Sequence, residues 1–126
     1  MKKSIATEAA PAAVGPYSQA YQVNETLYVS GQIPFDPKTM QLVSDDIEEQ
    51  TLQVLKNIEA IVKKAGFKVT DIVKCQIFLT NMDNFNKINA VYANFFNGHA
   101  PARIAVEVSR LPKDVSIEID AICVKD

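Results

Sequence analysis

The sequence predicts an α+β fold, a mixed β-sheet with two helices packed on one face. Two segments carry apolar residues at three- and four-residue spacing, as helices with one buried face do. Five others are short β-branched and aromatic runs bounded by turn residues, giving the order β-β-α-β-α-β-β.

Tyr17 to Val23 reads as the first strand, after the turn signal Gly15-Pro16, and Leu27 to Ile33 as the second. Pro34, Asp36 and Pro37 mark a loop. From Ile47 to Ala65, residues Ile47, Leu52, Leu55, Ile58, Ile61 and Val62 form one apolar face. Asp45 with Glu48 three residues on resembles a capping box, and Gly66 stands where a left-handed stop is wanted. Ile72 to Leu79 is the third strand. The second helix runs from about Asn84 to Phe96, with Phe85, Ile88, Val91, Tyr92, Phe95 and Phe96 on its apolar face. Asp83 or Asn81 caps its start and Asn97-Gly98 ends it. Arg103 to Leu111 and Ser116 to Val124 alternate as strands, with a turn at Pro112-Lys113-Asp114.

By that alternation Ile104, Val106, Ile117 and Ile119 face the helices. Lys74, Gln76, Arg103, Glu107, Glu118 and Asp120 share the other face with Ile72, Phe78, Ile122 and Val124. A solvated face is the plain reading of those charges. Large apolar groups among them point instead to a contact between copies of the chain.

The 126 residues fit one domain, 1–126, large enough to bury a core without staples. Cys75 and Cys123 lie in apolar runs and read as free buried thiols. No CxxC and no histidine pair suggests a metal, and no glycine-rich phosphate loop suggests a cofactor. Net charge is -2 with no basic block, so no nucleic-acid partner is expected. Neither a signal-peptide core nor a membrane span is present, so a cytoplasmic protein is expected.

Few residues are left for chemistry. His99 is the only histidine and sits in a loop, where a surface role is commoner. Arg103 suits a carboxylate, which its planar fork grips through two parallel bonds, and Glu118 can hold and deprotonate a water. A structural ion pair or solvated face remains the simpler reading of both. If the last two strands form a hairpin, Arg103 pairs near Cys123 and Glu118 near Val108. The two would then lie roughly 16 Å apart. Either one is irrelevant or another subunit completes the site, and the second is preferred.

Several ordered motifs resemble the Rid, or YjgF-type, family almost end to end. They are Ala10 to Gln19 (APAAVGPYSQ), Ser30 to Pro34 (SGQIP), Pro101-Ala102-Arg103, Val106 to Asp114 (VEVSRLPKD) and Ile117-Glu118-Ile119. The resemblance implies a chorismate-mutase-like (YjgF-like) fold and a homotrimer with clefts between subunits. It implies hydrolysis of 2-imino or enamino acids, such as 2-aminoacrylate and 2-aminocrotonate, to 2-oxo acids and ammonia, which protects pyridoxal-phosphate enzymes. The positions matching its site are Arg103 on the substrate carboxylate, Glu118 on the water and Tyr17 lining the cleft. Backbone around Ser30 and Gly31, and Asn89, complete it. Asn89 also reads plainly as a buried amide satisfied by backbone. Many relatives carry a small residue and then cysteine after the arginine. Here Ile104 and Ala105 stand there, so Ala105 offers only backbone to a ligand. A trimer that only senses 2-oxo acids is the alternative.

Overall fold

The computed structural model describes residues 1–126. Six strands form one sheet: β1 (Lys2–Ile5), β2 (Ala20–Val23), β3 (Thr26–Gln32), β4 (Ile72–Leu79), β5 (Ala102–Glu107) and β6 (Ile117–Val124). Two helices, α1 (Ile47–Lys64) and α2 (Phe85–Phe96), complete the expected α+β architecture. Across the sheet the order is β1-β2-β3-β6-β4-β5, antiparallel throughout except for the β4–β5 pair.

This order explains why both helices lie on one side. β3 and β4 flank β6 antiparallel to it and so run parallel to each other, with α1 as their connection. α2 connects β4 to its parallel neighbour β5. Both crossovers move the same way across the sheet, and right-handed crossovers moving the same way place their helices on the same face. Between the layers Val54, Leu55, Ile58, Ile61, Ile77, Ile88, Ile117 and Ile119 are almost completely buried.

The hairpin between the last two strands does not form. β6 inserts between β3 and β4, while β5 stands at the edge against β4 alone. After β5, which ends at Glu107 rather than Leu111, the chain passes through a 3-10 turn at Pro112–Asp114. Lys113 and Asp114 there are left-handed, at φ 59° and 57°. The first strand is also shorter than expected, starting at Ala20 and leaving Tyr17 in a loop. β1 gave no sequence signal, because three of its four residues are exposed.

The helices follow their periodicity with local corrections. The N-cap of α1 is Asp46, one residue past the expected Asp45, and its Oδ2 accepts from the Glu49 N–H at 2.9 Å. Leu52 points to solvent instead of joining the apolar face. Gly66 takes the left-handed stop at φ 84°. A 3-10 turn at Met82–Asn84 precedes α2, with Asn81 Oδ1 accepting from the Asp83 N–H at 3.0 Å. Buried polar groups on α1 fasten loops to it: Asn57 Nδ2 donates to the Ile33 and Phe35 carbonyls, each at 3.1 Å, and Gln50 Oε1 accepts from the Ser116 N–H at 3.1 Å.

One bulge and one strand register decide which side chains face where. Ile72 lies opposite Cys123 and Lys74 opposite Ile122, so Val73 is an extra residue, a β-bulge. Ile72 is therefore fully buried on the helix side, not on the charged face. On β5, Arg103, Ala105 and Glu107 lie opposite Cys75, Ile77 and Leu79, and neighbours in register share a face. These three thus point to the helix side, whereas Ile104 and Val106 join Gln76 and Phe78 on the open face. The expected sides of β5 are inverted.

Candidate functional site

Arg103 projects from the edge strand β5 beside α2. Its Nη1 donates to Asn89 Oδ1 at 2.7 Å. Its guanidinium carbon lies 5.4 Å from the Phe85 ring centroid and 5.0 Å from that of Tyr92. Phe85, Asn89 and Tyr92 are spaced four and three residues apart, so one stripe of α2 surrounds the arginine. No carboxylate of the chain pairs with it; the ion pairs are Lys63–Glu59 and Arg110–Asp114, both on the surface. Asn89, Tyr92, Ala93, His99, Pro101 and Arg103 line an open cleft of about 530 Å³. Asn89 is thus bound to Arg103, and the backbone-satisfied reading of it fails.

The floor of this region is buried. Cys75 lies under Arg103 in register, and burial pushes its thiol up to about 11. Burial likewise raises the Tyr92 phenol, whose hydroxyl lies against the Cys75 sulfur with no oxygen or nitrogen partner. Cys123, pushed up to about 12 mainly by burial, is also a free thiol. His99 Nε2 lies 2.7 Å from the Ile72 carbonyl, which can only accept, so that nitrogen carries the hydrogen.

Glu118 belongs to a second cluster, on the open face. It lies across β3 against Gly31, where a Cβ would fall on the Glu118 carboxylate, so only glycine leaves room for this arrangement. Desolvation, and then repulsion from Asp120, raises the Glu118 carboxyl above its ordinary range. Tyr17 and Gly31 line one small pocket nearby with Phe35 and Lys113. Gln19 holds the Tyr17 loop, although its motif gave no hint of this. It is almost fully buried, accepting from the Thr7 N–H at 2.6 Å and donating to the carbonyls of Thr7, Ala10 and Pro11. Ser30 faces the same loop, its Oγ donating to the Ser18 carbonyl at 2.6 Å.

The structure therefore gathers the expected site residues into two groups. Arg103, Asn89 and Ala105 stand on the helix side of the sheet, with β5 free along its outer edge. Tyr17, Ser30, Gly31 and Glu118 stand at the other group. Arg103 and Glu118 are three residues of strand and two strand spacings apart, roughly 14 Å, and point to opposite faces. No three His, Cys, Asp or Glu side chains are grouped to hold a metal ion. Phe85 and Tyr92 were legible only as core residues; their spacing with Asn89 was the available signal.

The family model described as Endoribonuclease L-PSP matches residues 7–125. The chain belongs to this L-PSP (YjgF/Rid) family. Among its L-PSP relatives, a RutC family protein of Pyrococcus horikoshii is 53% identical over 100% of both chains. The 2-iminobutanoate/2-iminopropanoate deaminase of Escherichia coli K12 is 51% identical over 99% of each chain. Among solved L-PSP family structures, that of E. coli TdcF with bound serine matches at a TM-score of 0.95 and 43% identity, covering 98% of this chain and 99% of that one. No helix is long and apolar enough to cross a membrane.

Proposed function

We propose that this protein is a cytoplasmic hydrolase of small 2-imino acids, forming 2-oxo acids and ammonia. The observation that carries the reading is Arg103: held on three sides, beside an open cleft, with no carboxylate of its own chain to neutralise it. Such a fork is ready for a ligand carboxylate. Support comes from a relative named as a deaminase at 51% identity and from a structural neighbour that holds serine, itself an amino acid.

Because Arg103 and Glu118 face opposite sides of one sheet, the catalytic site in this reading forms between copies, in a homotrimer. Tyr28, Ile104, Ile122 and Val124 on the open face supply the apolar contact. Arg103 of one copy holds the carboxylate, and Glu118 of the next takes a proton from water as its oxygen adds to C2. That proton passes to nitrogen, giving a carbinolamine; the C2 hydroxyl proton then follows it to nitrogen as the C–N bond breaks, so the C2 oxygen becomes the carbonyl and ammonia leaves. Imine plus water gives 2-oxo acid plus ammonia, with no other reactant. Tyr17, Gly31 and the Ala105 backbone line the cleft.

The test couples a threonine dehydratase to this protein and follows 2-oxobutanoate above the spontaneous rate. Native protein accelerates its release. Arg103→Ala loses about 10- to 150-fold in kcat/KM, as a charge-assisted contact of about 1.5–3 kcal/mol requires. No acceleration by folded protein that still binds 2-oxobutanoate would favour the sensor instead, a reading the separation of Arg103 from Glu118 within one chain keeps in play. RNA cleavage is disfavoured by the net charge of -2 and the scattered basic residues.

A further inference from the structure

We infer that Phe85 and Tyr92 are positioning residues that fix the plane of the Arg103 guanidinium, while Asn89 fixes its rotation within that plane. This rests on the proposal that Arg103 receives a substrate carboxylate.

A free arginine on an edge strand samples many rotamers, and a ligand must pay for ordering it. Here the ordering is built in. The guanidinium carbon lies 5.4 Å from the Phe85 ring centroid and 5.0 Å from that of Tyr92, within the range where a cation is attracted to an aromatic face. Two rings restrict tilt but leave a flat ion free to turn between them. The Asn89 Oδ1 contact at 2.7 Å removes that freedom by engaging Nη1. The remaining N–H groups have no partner in the chain and are left for a carboxylate.

The three residues reach Arg103 because they share one stripe of α2, the helix that itself connects β4 to β5. Tyr92 is anchored in the core at 6% exposure, so its ring cannot yield. Its hydroxyl has no oxygen or nitrogen partner, so the ring and not the hydroxyl matters here. A lysine at position 103 would still be drawn to the rings but could not be aligned by them, since an ammonium has no plane to orient.

The experiment measures kcat and KM for the imine, and the Kd for 2-oxobutanoate by calorimetry, in Phe85→Leu, Asn89→Ala, Tyr92→Leu and Arg103→Ala. Phe85→Leu and Asn89→Ala are also made in an Arg103→Lys background. KM and Kd are expected to rise about threefold to tenfold in Phe85→Leu and Asn89→Ala, with kcat changed far less. Tyr92→Leu removes the second ring and is expected to raise both in the same way. In the Arg103→Lys background the same substitutions are expected to cost far less. Unchanged KM and Kd in all three variants, with activity still lost in Arg103→Ala, would overturn the positioning role alone. Equal losses in the lysine background would also overturn it, because the residues would then act independently of the guanidinium. Full activity in Arg103→Ala would instead overturn the carboxylate clamp beneath it. Thermal midpoints separate these outcomes from simple unfolding.

Discussion

Glu118 is the residue whose environment most directly sets a measurable property. Its carboxyl is raised first by desolvation and then by the neighbouring Asp120 charge. Folding therefore favours its protonated form: the stability Glu118 adds is fully present below the ordinary glutamate range and is lost as pH rises through its raised folded range. In the proposed mechanism catalysis has the opposite sign, because only the carboxylate accepts a proton from water. kcat/KM is expected to fall on the acid side with an inflection above the ordinary glutamate range. Asp120→Asn removes the repulsion and should move that inflection to lower pH. Glu118→Gln should abolish it and lower turnover about 10²–10⁴-fold. An inflection that stays in place in Asp120→Asn would detach the limb from Glu118. The residue types at Arg103 and Glu118 were legible in the sequence, and the motifs around them raised them above other charges. The face of Arg103 was not, because period-two counting assigns relative sides only within a strand. Its absolute side depends on which neighbour the strand pairs with.

At the scale of elements, the helices were legible because a 3.6-residue period survives small local shifts. The cap moved by one residue, from Asp45 to Asp46, without changing which face is buried apart from Leu52. Asp46→Ala is expected to destabilise the fold by about 1 kcal/mol through loss of the Glu49 N–H acceptor. Asp45→Ala should have little effect in the same denaturation measurement, and equal losses would return the cap to Asp45. Strand pairing was less legible. Pro112-Lys113-Asp114 suggested a hairpin, yet the long segment between β5 and β6 lets the last strand reach past β4 to its far side. A turn signal records a local bend and says nothing about a strand's neighbour. The bulge at Val73 was equally hidden, since an inserted residue changes the side of Ile72 without altering composition.

At the scale of the whole molecule, the mixed apolar and charged face expected from the sequence exists, with a changed membership. Arg103, Glu107 and Ile72 leave it, and Ile104 and Val106 join. The exchange makes the open face more apolar and sends the arginine toward the cleft beside α2. If three copies meet through this face, the chain runs in solution at three times its mass. Ile104 is 45% exposed, so Ile104→Glu is expected to leave the fold of each copy intact. Placing a charge in the contact should dissociate the assembly and remove activity together. An active, undissociated Ile104→Glu protein would put the contact elsewhere.

The most direct test of a site shared between copies mixes two inactive variants. Arg103→Ala and Glu118→Gln are unfolded together, refolded as a mixture, and assayed for imine hydrolysis. Sites that draw Arg103 from one copy and Glu118 from its neighbour recover about a quarter of native activity, as random assembly dictates. Activity no higher than that of the two variants refolded separately would contradict the shared site.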